Sequence, residues 1–135
     1  MSISQSRRVT LVTSSTTTIA APATINDETL GQPLPWVCDQ ATIHVYSTAG
    51  SGTMTVTVRL WGYQVELDRW FDLGPLNAGN AIPETSKADT ISYAEGVMGL
   101  RTFDRVYAEI SAIAGTLTAG SIELICIRQN AVMGA

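Results

Sequence analysis

The stretch ATIHVYSTAGSGTMTVTVRL, Ala41 to Leu60, decides the fold class. Ile43 and Val45 alternate with Thr42, His44 and Tyr46. After Gly50-Ser51-Gly52 the alternation resumes, with Met54, Val56, Val58 and Leu60 set against Thr53, Thr55, Thr57 and Arg59. A period of two places one set of side chains on one face of a pleated strand, and β-branched residues suit that surface. The pattern predicts a hairpin with one buried face, turning at Gly50-Ser51-Gly52. Its outer face is polar as far as Arg59 and Trp61, where it can meet another surface.

The last third repeats the theme. Val106, Ala108, Ile110 and Ala112 alternate with Tyr107, Glu109 and Ser111, and Gly115 to Gly120 reads as the turn into Ile122 to Arg128. The near-continuous apolar run Leu124 to Ile127 suits a strand covered on both faces. Between the two hairpins the pattern is less regular. Val65, Leu67 and Trp70-Phe71-Asp72 suggest one or two further strands, Gly74-Pro75 and Asn77 to Asn80 mark turns, and residues 80 to 92 read as a long polar surface loop.

The N-terminal side is polar. Met1 to Ser6 is a Ser-rich opening before Arg7-Arg8, residues 9 to 20 form a Thr-rich extended segment, and Pro22 ends it. An edge strand, or one donated to a neighbour, fits this composition. A loop over Asn26 to Pro35 then leads through Trp36-Val37-Cys38 into the first hairpin. Seven or eight short strands with no stretch of helical period predict an all-β fold: an antiparallel β-sandwich, jelly-roll-like, with an extended N-terminal arm over 1–22 and a single sandwich domain over 23–135.

Composition excludes several functions. In 135 residues there are 17 Thr and a single Lys, 45% hydrophobic and 15% charged residues, which suits one folded core and disfavours disorder. A net charge of −4 with scattered Arg argues against phosphate neutralisation, so no nucleic acid is expected as partner. No apolar run approaches a membrane span, and the opening residues lack the apolar core of a signal peptide, so no membrane partner is expected either. Cys38 and Cys126 read as buried thiols.

Residues with chemical potential have plain readings. His44 is the only histidine and cannot complete a zinc set, and no nucleophile-elbow sequence accompanies it. Glu66 and Asp68 would share one face of a strand, as paired carboxylates do, but the spacing fits a solvated edge better because further oxygen ligands are missing. Gly50-Ser51-Gly52 lacks the lysine and helix of a phosphate loop. No catalytic, cofactor-binding or metal residue is expected. Trp61, Tyr63, Trp70 and Phe71 are the candidates for a recognition surface, with Trp70 and Phe71 on opposite faces, and Tyr107 and Glu109 on an outer strand face can join an interface.

Two segments carry a family resemblance. Phe103 to Ser111 followed by Ala114 to Ile122 resembles the C-terminal hairpin of small tailed-phage capsid cement proteins of the Bordetella-phage-like family, where an arginine-and-tyrosine strand leads to a Gly-Thr-Leu-Thr-Ala-Gly turn and a final strand. Gly52 to Leu60 also resembles that family's Thr/Val strand. The likeness covers about half the chain, and Tyr63 to Met98 departs from it. It implies a jelly roll, a homotrimer, and a place on the outer surface of the virion's icosahedral head, bridging neighbouring copies of the major capsid protein after synthesis in the host cytoplasm. The interface residues expected on this reading are Arg7, Arg8, Val9, Leu11, Trp61, Trp70, Tyr107 and Glu109, with the arm pairing by strand addition to a capsid or sister subunit. The rival expectations are a carbohydrate- or receptor-binding fibre tip with Trp61, Tyr63 and Trp70 as a platform, and another head or tail component.

Overall fold

In the computed structural model, which describes residues 2–13, 28–35, 38 and 40–131, seven strands carry the chain. They are β1 (Ser2–Thr13), β2 (Gln32–Pro33), β3 (Gln40–Gln64), β4 (Arg69–Pro75), β5 (Ile82–Pro83), β6 (Ile91–Met98) and β7 (Arg105–Ala131). Two short 3₁₀ turns, Leu76–Gly79 and Leu100–Thr102, are the only helical pieces among the described residues. The part of the expected arm beyond Thr13, and the segment Trp36-Val37, lie outside the described residues.

The two long strands organise everything else. β3 and β7 run antiparallel along nearly their whole length, from Gln40 opposite Ile127 to Tyr63 opposite Arg105. The first half of β3 takes β6 on its other side, and its second half takes β5 and then β4. β7 takes β2 at its start and β1 along its C-terminal part. All pairs are antiparallel within one seven-stranded sheet. The sheet curls into a half-barrel whose inner face closes on a single core, giving an all-β fold of the β-sandwich, jelly-roll-like class with an extended N-terminal strand.

Alternation built that core as expected. Ile43 and Val45 from the first half of β3 join Val56, Val58 and Leu60 from its second half, with Val106, Ile110 and Leu124 of β7, all of them buried. Burying each such side chain contributes about 1.5–3 kcal/mol, the main return against chain entropy. Thr55, Thr57, Arg59 and Trp61 take the outer face, and His44 lies on the face opposite Ile43 and Val45, as read from the sequence.

The two hairpins expected from the pattern do not form. Gly50-Ser51-Gly52 and Gly115 to Gly120 do not reverse the chain; each lies inside one long strand. The register passes from Ser51 opposite Thr116 to Thr55 opposite Ala114, so both strands bulge and bend at the same level. Gly52 and Gly115 each have φ +73°, the left-handed region that glycine enters without a Cβ clash. A left-handed glycine serves a turn and a bulge equally well, and the difference is made by the partners. Residues 40–47 already have β6 on one side and β7 on the other, leaving no free edge for a hairpin mate.

A second bulge corrects the pattern in β7. Val58 faces Ile110 and Thr57 faces Ala112, so Ser111 is the extra residue. Ala112, expected inside, is exposed, and Ile113 packs against the core in its place. The expected loop at 80–92 is shorter than read: Ile82–Pro83 pairs with β3, and a strand that the sequence pattern had not marked begins at Ile91. Val65 to Asp68 is a turn and not a strand, with Val65 and Leu67 exposed. Leu124 to Ile127 is flanked sideways by β1 and β3 and is not covered on both faces; Leu124 and Cys126 are buried while Ile127 is exposed.

The N-terminal strand also has a place of its own. The expected pairing with another subunit is met within the chain, where β1 pairs with β7 from Ser2 opposite Ala131 to Thr13 opposite Ser121. Its apolar residues explain the docking: Val12 is buried, and Val9 and Leu11 pack against the core.

Candidate functional site

Four of the eight expected interface residues meet on one outer face. The second half of β3 sets Arg59, Trp61 and Tyr63 opposite Glu109, Tyr107 and Arg105 of β7. On the other side β4 brings Asp72 opposite Trp61 and Trp70 opposite Tyr63. A three-strand outer surface of aromatic and charged side chains results, with Trp61, Trp70, Tyr107 and Glu109 within it.

Its rings pack on one another. Tyr63 and Trp70 have centroids 5.4 Å apart, and Trp70 meets Tyr107 edge-on at 6.1 Å. Such tilted contacts suit the ring quadrupoles. The loop before β2 closes over the group: a Cβ on Gly31 would come 3.0 Å from the Trp70 ring and 2.5 Å from the Val106 carbonyl oxygen, and Arg105 donates to the Gly31 carbonyl at 3.1 Å. Trp70 and Tyr63 are therefore buried, while Trp61 and Tyr107 are half-buried and remain reachable. Phe71 takes the opposite face, as read, against Phe103 at 6.2 Å.

The charges on this face are paired. Arg59 and Asp72 form an ion pair, whose hydrogen bond raises the guanidinium pKa and lowers that of the carboxylate. Glu109 is 3% exposed, opposite Arg59, and accepts from the Trp61 indole nitrogen at 3.4 Å. The sequence places it on the outer face but carries no sign of its burial, which depends on the neighbours that the folded sheet sets around it. The Tyr63 hydroxyl donates to Asp68 at 2.6 Å, and this bond, then burial, holds its pKa above the usual range. For Tyr107 burial is the main cause of a raised pKa, with the Glu109 charge second. Asp68, which the sequence offers as half of a carboxylate pair on a strand, lies in the 65–68 turn and accepts from the Tyr63 hydroxyl.

Arg7, Arg8, Val9 and Leu11 lie elsewhere, on β1 along the edge of the sheet. Arg8 makes an open ion pair with Glu123 at 3.7 Å, and Val9 and Leu11 are half-buried. The structure thus divides the expected interface between a ringed face and an arm edge.

A third feature was not anticipated. A groove of about 410 Å³ lies where the outer face of β3 meets β6 and the loop before it, lined by His44 to Thr48, Lys87 and Thr90 to Tyr93. The only lysine and the only histidine of the chain share it. Their rarity was legible, but their meeting depended on the pairing of β6 with β3. Among the described residues no group of three or more His, Cys, Asp or Glu is placed to hold a metal ion.

Compared with known proteins, the chain matches no family model, no curated protein and no solved structure.

Proposed function

We propose that this chain is a non-enzymatic virion structural protein, a capsid cement or decoration protein that acts as a homotrimer on the outer surface of a phage head and bridges major capsid subunits. The observation that carries the reading is the arrangement of distinct contact faces around one rigid core. The half-open aromatic face of Trp61 and Tyr107 lies on one part of the curled sheet, and the β1 edge with Arg7 and Arg8 on another. A bridging protein needs several such faces, because each neighbour must be held at once and rigid anchors lose little entropy on docking. Aromatic and arginine side chains are the usual anchors.

The rival platform of Trp61, Tyr63 and Trp70 asks for open ring faces. Tyr63 and Trp70 are buried in the chain itself, which favours the structural reading for this face.

Light scattering on the purified protein, followed by co-sedimentation with heads that lack it, tests the proposal. A stable trimer of the 14.4 kDa chain that saturates heads, and loses binding with Trp61→Ala, is expected. A monomer that leaves heads unbound overturns it.

A further inference from the structure

We propose that the groove between β3, β6 and the 85–90 loop is a binding site for a carboxylate-bearing saccharide. The inference is independent of the capsid reading and uses a part of the outer surface that the aromatic face does not include.

The groove is a built feature. Thr85 and Thr90 close the loop before β6 with a hydroxyl pair at 2.6 Å and a backbone bond from the Thr85 nitrogen to the Thr90 carbonyl at 2.9 Å. The Lys87 carbonyl accepts from the Thr90 hydroxyl at 2.6 Å, which fixes the backbone that carries the lysine. The floor is strand: Tyr46 faces Ser92, and His44 faces Ala94, across the β3 and β6 ladder. Wall and floor are thus held before any ligand arrives, which limits the ordering cost of binding.

Its chemistry selects the ligand class. Among the lining residues Tyr46, Thr48 and Ser92 carry hydroxyls and Lys87 an ammonium, while the buried Ser47 hydroxyl donates to the Thr118 carbonyl and the Thr90 hydroxyl is held within the loop. No carboxylate lines it, in a chain with twelve acidic residues and net charge −4. The nearest acidic groups are otherwise placed: Glu95 accepts from the Asn77 nitrogen and the Tyr93 hydroxyl, and Glu123, opposite His44, pairs with Arg8. Asp89 follows on the loop but is not on the groove wall. A lone cation among hydroxyls matches one anionic group on a hydroxyl-rich ring, and the exposed Tyr46 ring gives a sugar face an apolar surface to rest on. The volume falls in the range of small-ligand pockets and fits one or two sugar rings.

Two-dimensional amide NMR of the full chain, titrated with sialyllactose and separately with lactose, tests this. Saturable shifts confined to 44–48 and 87–93 are expected with sialyllactose, with lactose weaker by roughly tenfold, the worth of one charge-assisted contact. Lys87→Ala should bring sialyllactose down to the lactose level while leaving the rest of the spectrum in place, and Tyr46→Ala should weaken both sugars. Equal response to the two sugars, an unchanged response in Lys87→Ala, shifts centred on Trp61, or no shift at millimolar sugar each overturns the proposal.

Discussion

Gly52 and Gly115 face each other across the bend shared by β3 and β7: a Cβ added to Gly52 would lie 3.8 Å from the Gly115 Cα, and both residues have φ +73°. The space around them differs. A Cβ on Gly115 would come within 2.8 Å of the Ser51 carbonyl oxygen and 2.9 Å of that of Thr53, whereas Gly52 has room. Gly115→Ala is therefore expected to cost about 2–4 kcal/mol, from strain plus a backbone clash, and Gly52→Ala about 1–2 kcal/mol from strain alone. Urea unfolding of both variants checks the order; equal costs would mean that the backbone around Gly115 yields to the added Cβ.

Removal of residues 2–13 should destabilise the domain rather than leave it intact. It uncovers the edge of β7 and the core surface under Val9, Leu11 and Val12. A loss of about 10 °C in Tm is expected, with a rise in aggregation as the β7 edge opens. Calorimetry of the truncated chain decides this, and an unchanged Tm would return the arm to a role outside its own fold.

The Arg59–Asp72 pair should matter little for stability. Its side chains are 35% and 45% exposed, so solvent screens the attraction, and Asp72→Asn is expected to cost about 0.2–1 kcal/mol. The sign with pH follows from the lowered carboxylate pKa. The contribution is present above the pKa of the unfolded aspartate, near 4, and fades as pH falls through the lower folded value. Wild type and Asp72→Asn should converge in stability on acidification, as chemical denaturation at a series of pH values can establish.

Tyr63 gives the opposite limb. Its bond to Asp68 raises the phenol pKa, so its stabilising effect is complete below the unfolded tyrosine value, near 10, and declines as pH rises toward the folded one. Tyr93 and Tyr107 are raised as well, so ultraviolet titration should find several late-titrating tyrosines, one of which Asp68→Asn brings to lower pH. An unmoved titration would show that the hydroxyl is held by something else.

Cys38 and Cys126 are both free and buried, and burial, followed by the Cys38 contact, pushes the Cys126 thiol up to about 12. Since only the thiolate reacts, alkylation of the native protein should be slow at both positions and fast after unfolding. Mass spectrometry after a timed iodoacetamide pulse reads this directly, and rapid native labelling of Cys126 would contradict its burial.

Much of this protein was legible in its sequence. Alternation assigned Ile43, Val45, Val56, Val58, Leu60, Val106 and Ile110 to one face and Arg59, Trp61 and Tyr107 to the other, because side-chain direction in a strand has a period of two whatever the strand pairs with. The class of fold follows from that local rule. Trp70 and Phe71 fall on opposite faces for the same reason.

What only the tertiary structure decided is which backbone saturates which. Gly50-Ser51-Gly52 and Gly115 have the chemistry of turns, yet they became bends in two long strands because β1, β6 and β7 occupied the edges a hairpin would have used. The bulge at Ser111 reversed the facing of Ala112 and Ile113 through a register that belongs to the β3–β7 pair and not to either strand alone. The burial of Glu109 beside the Trp61 indole nitrogen, and the sharing of one groove by His44 and Lys87, also depend on residues far apart in the chain. Facing is set by local stereochemistry and can be read residue by residue; pairing is a competition among distant backbone groups, and only the folded chain resolves it.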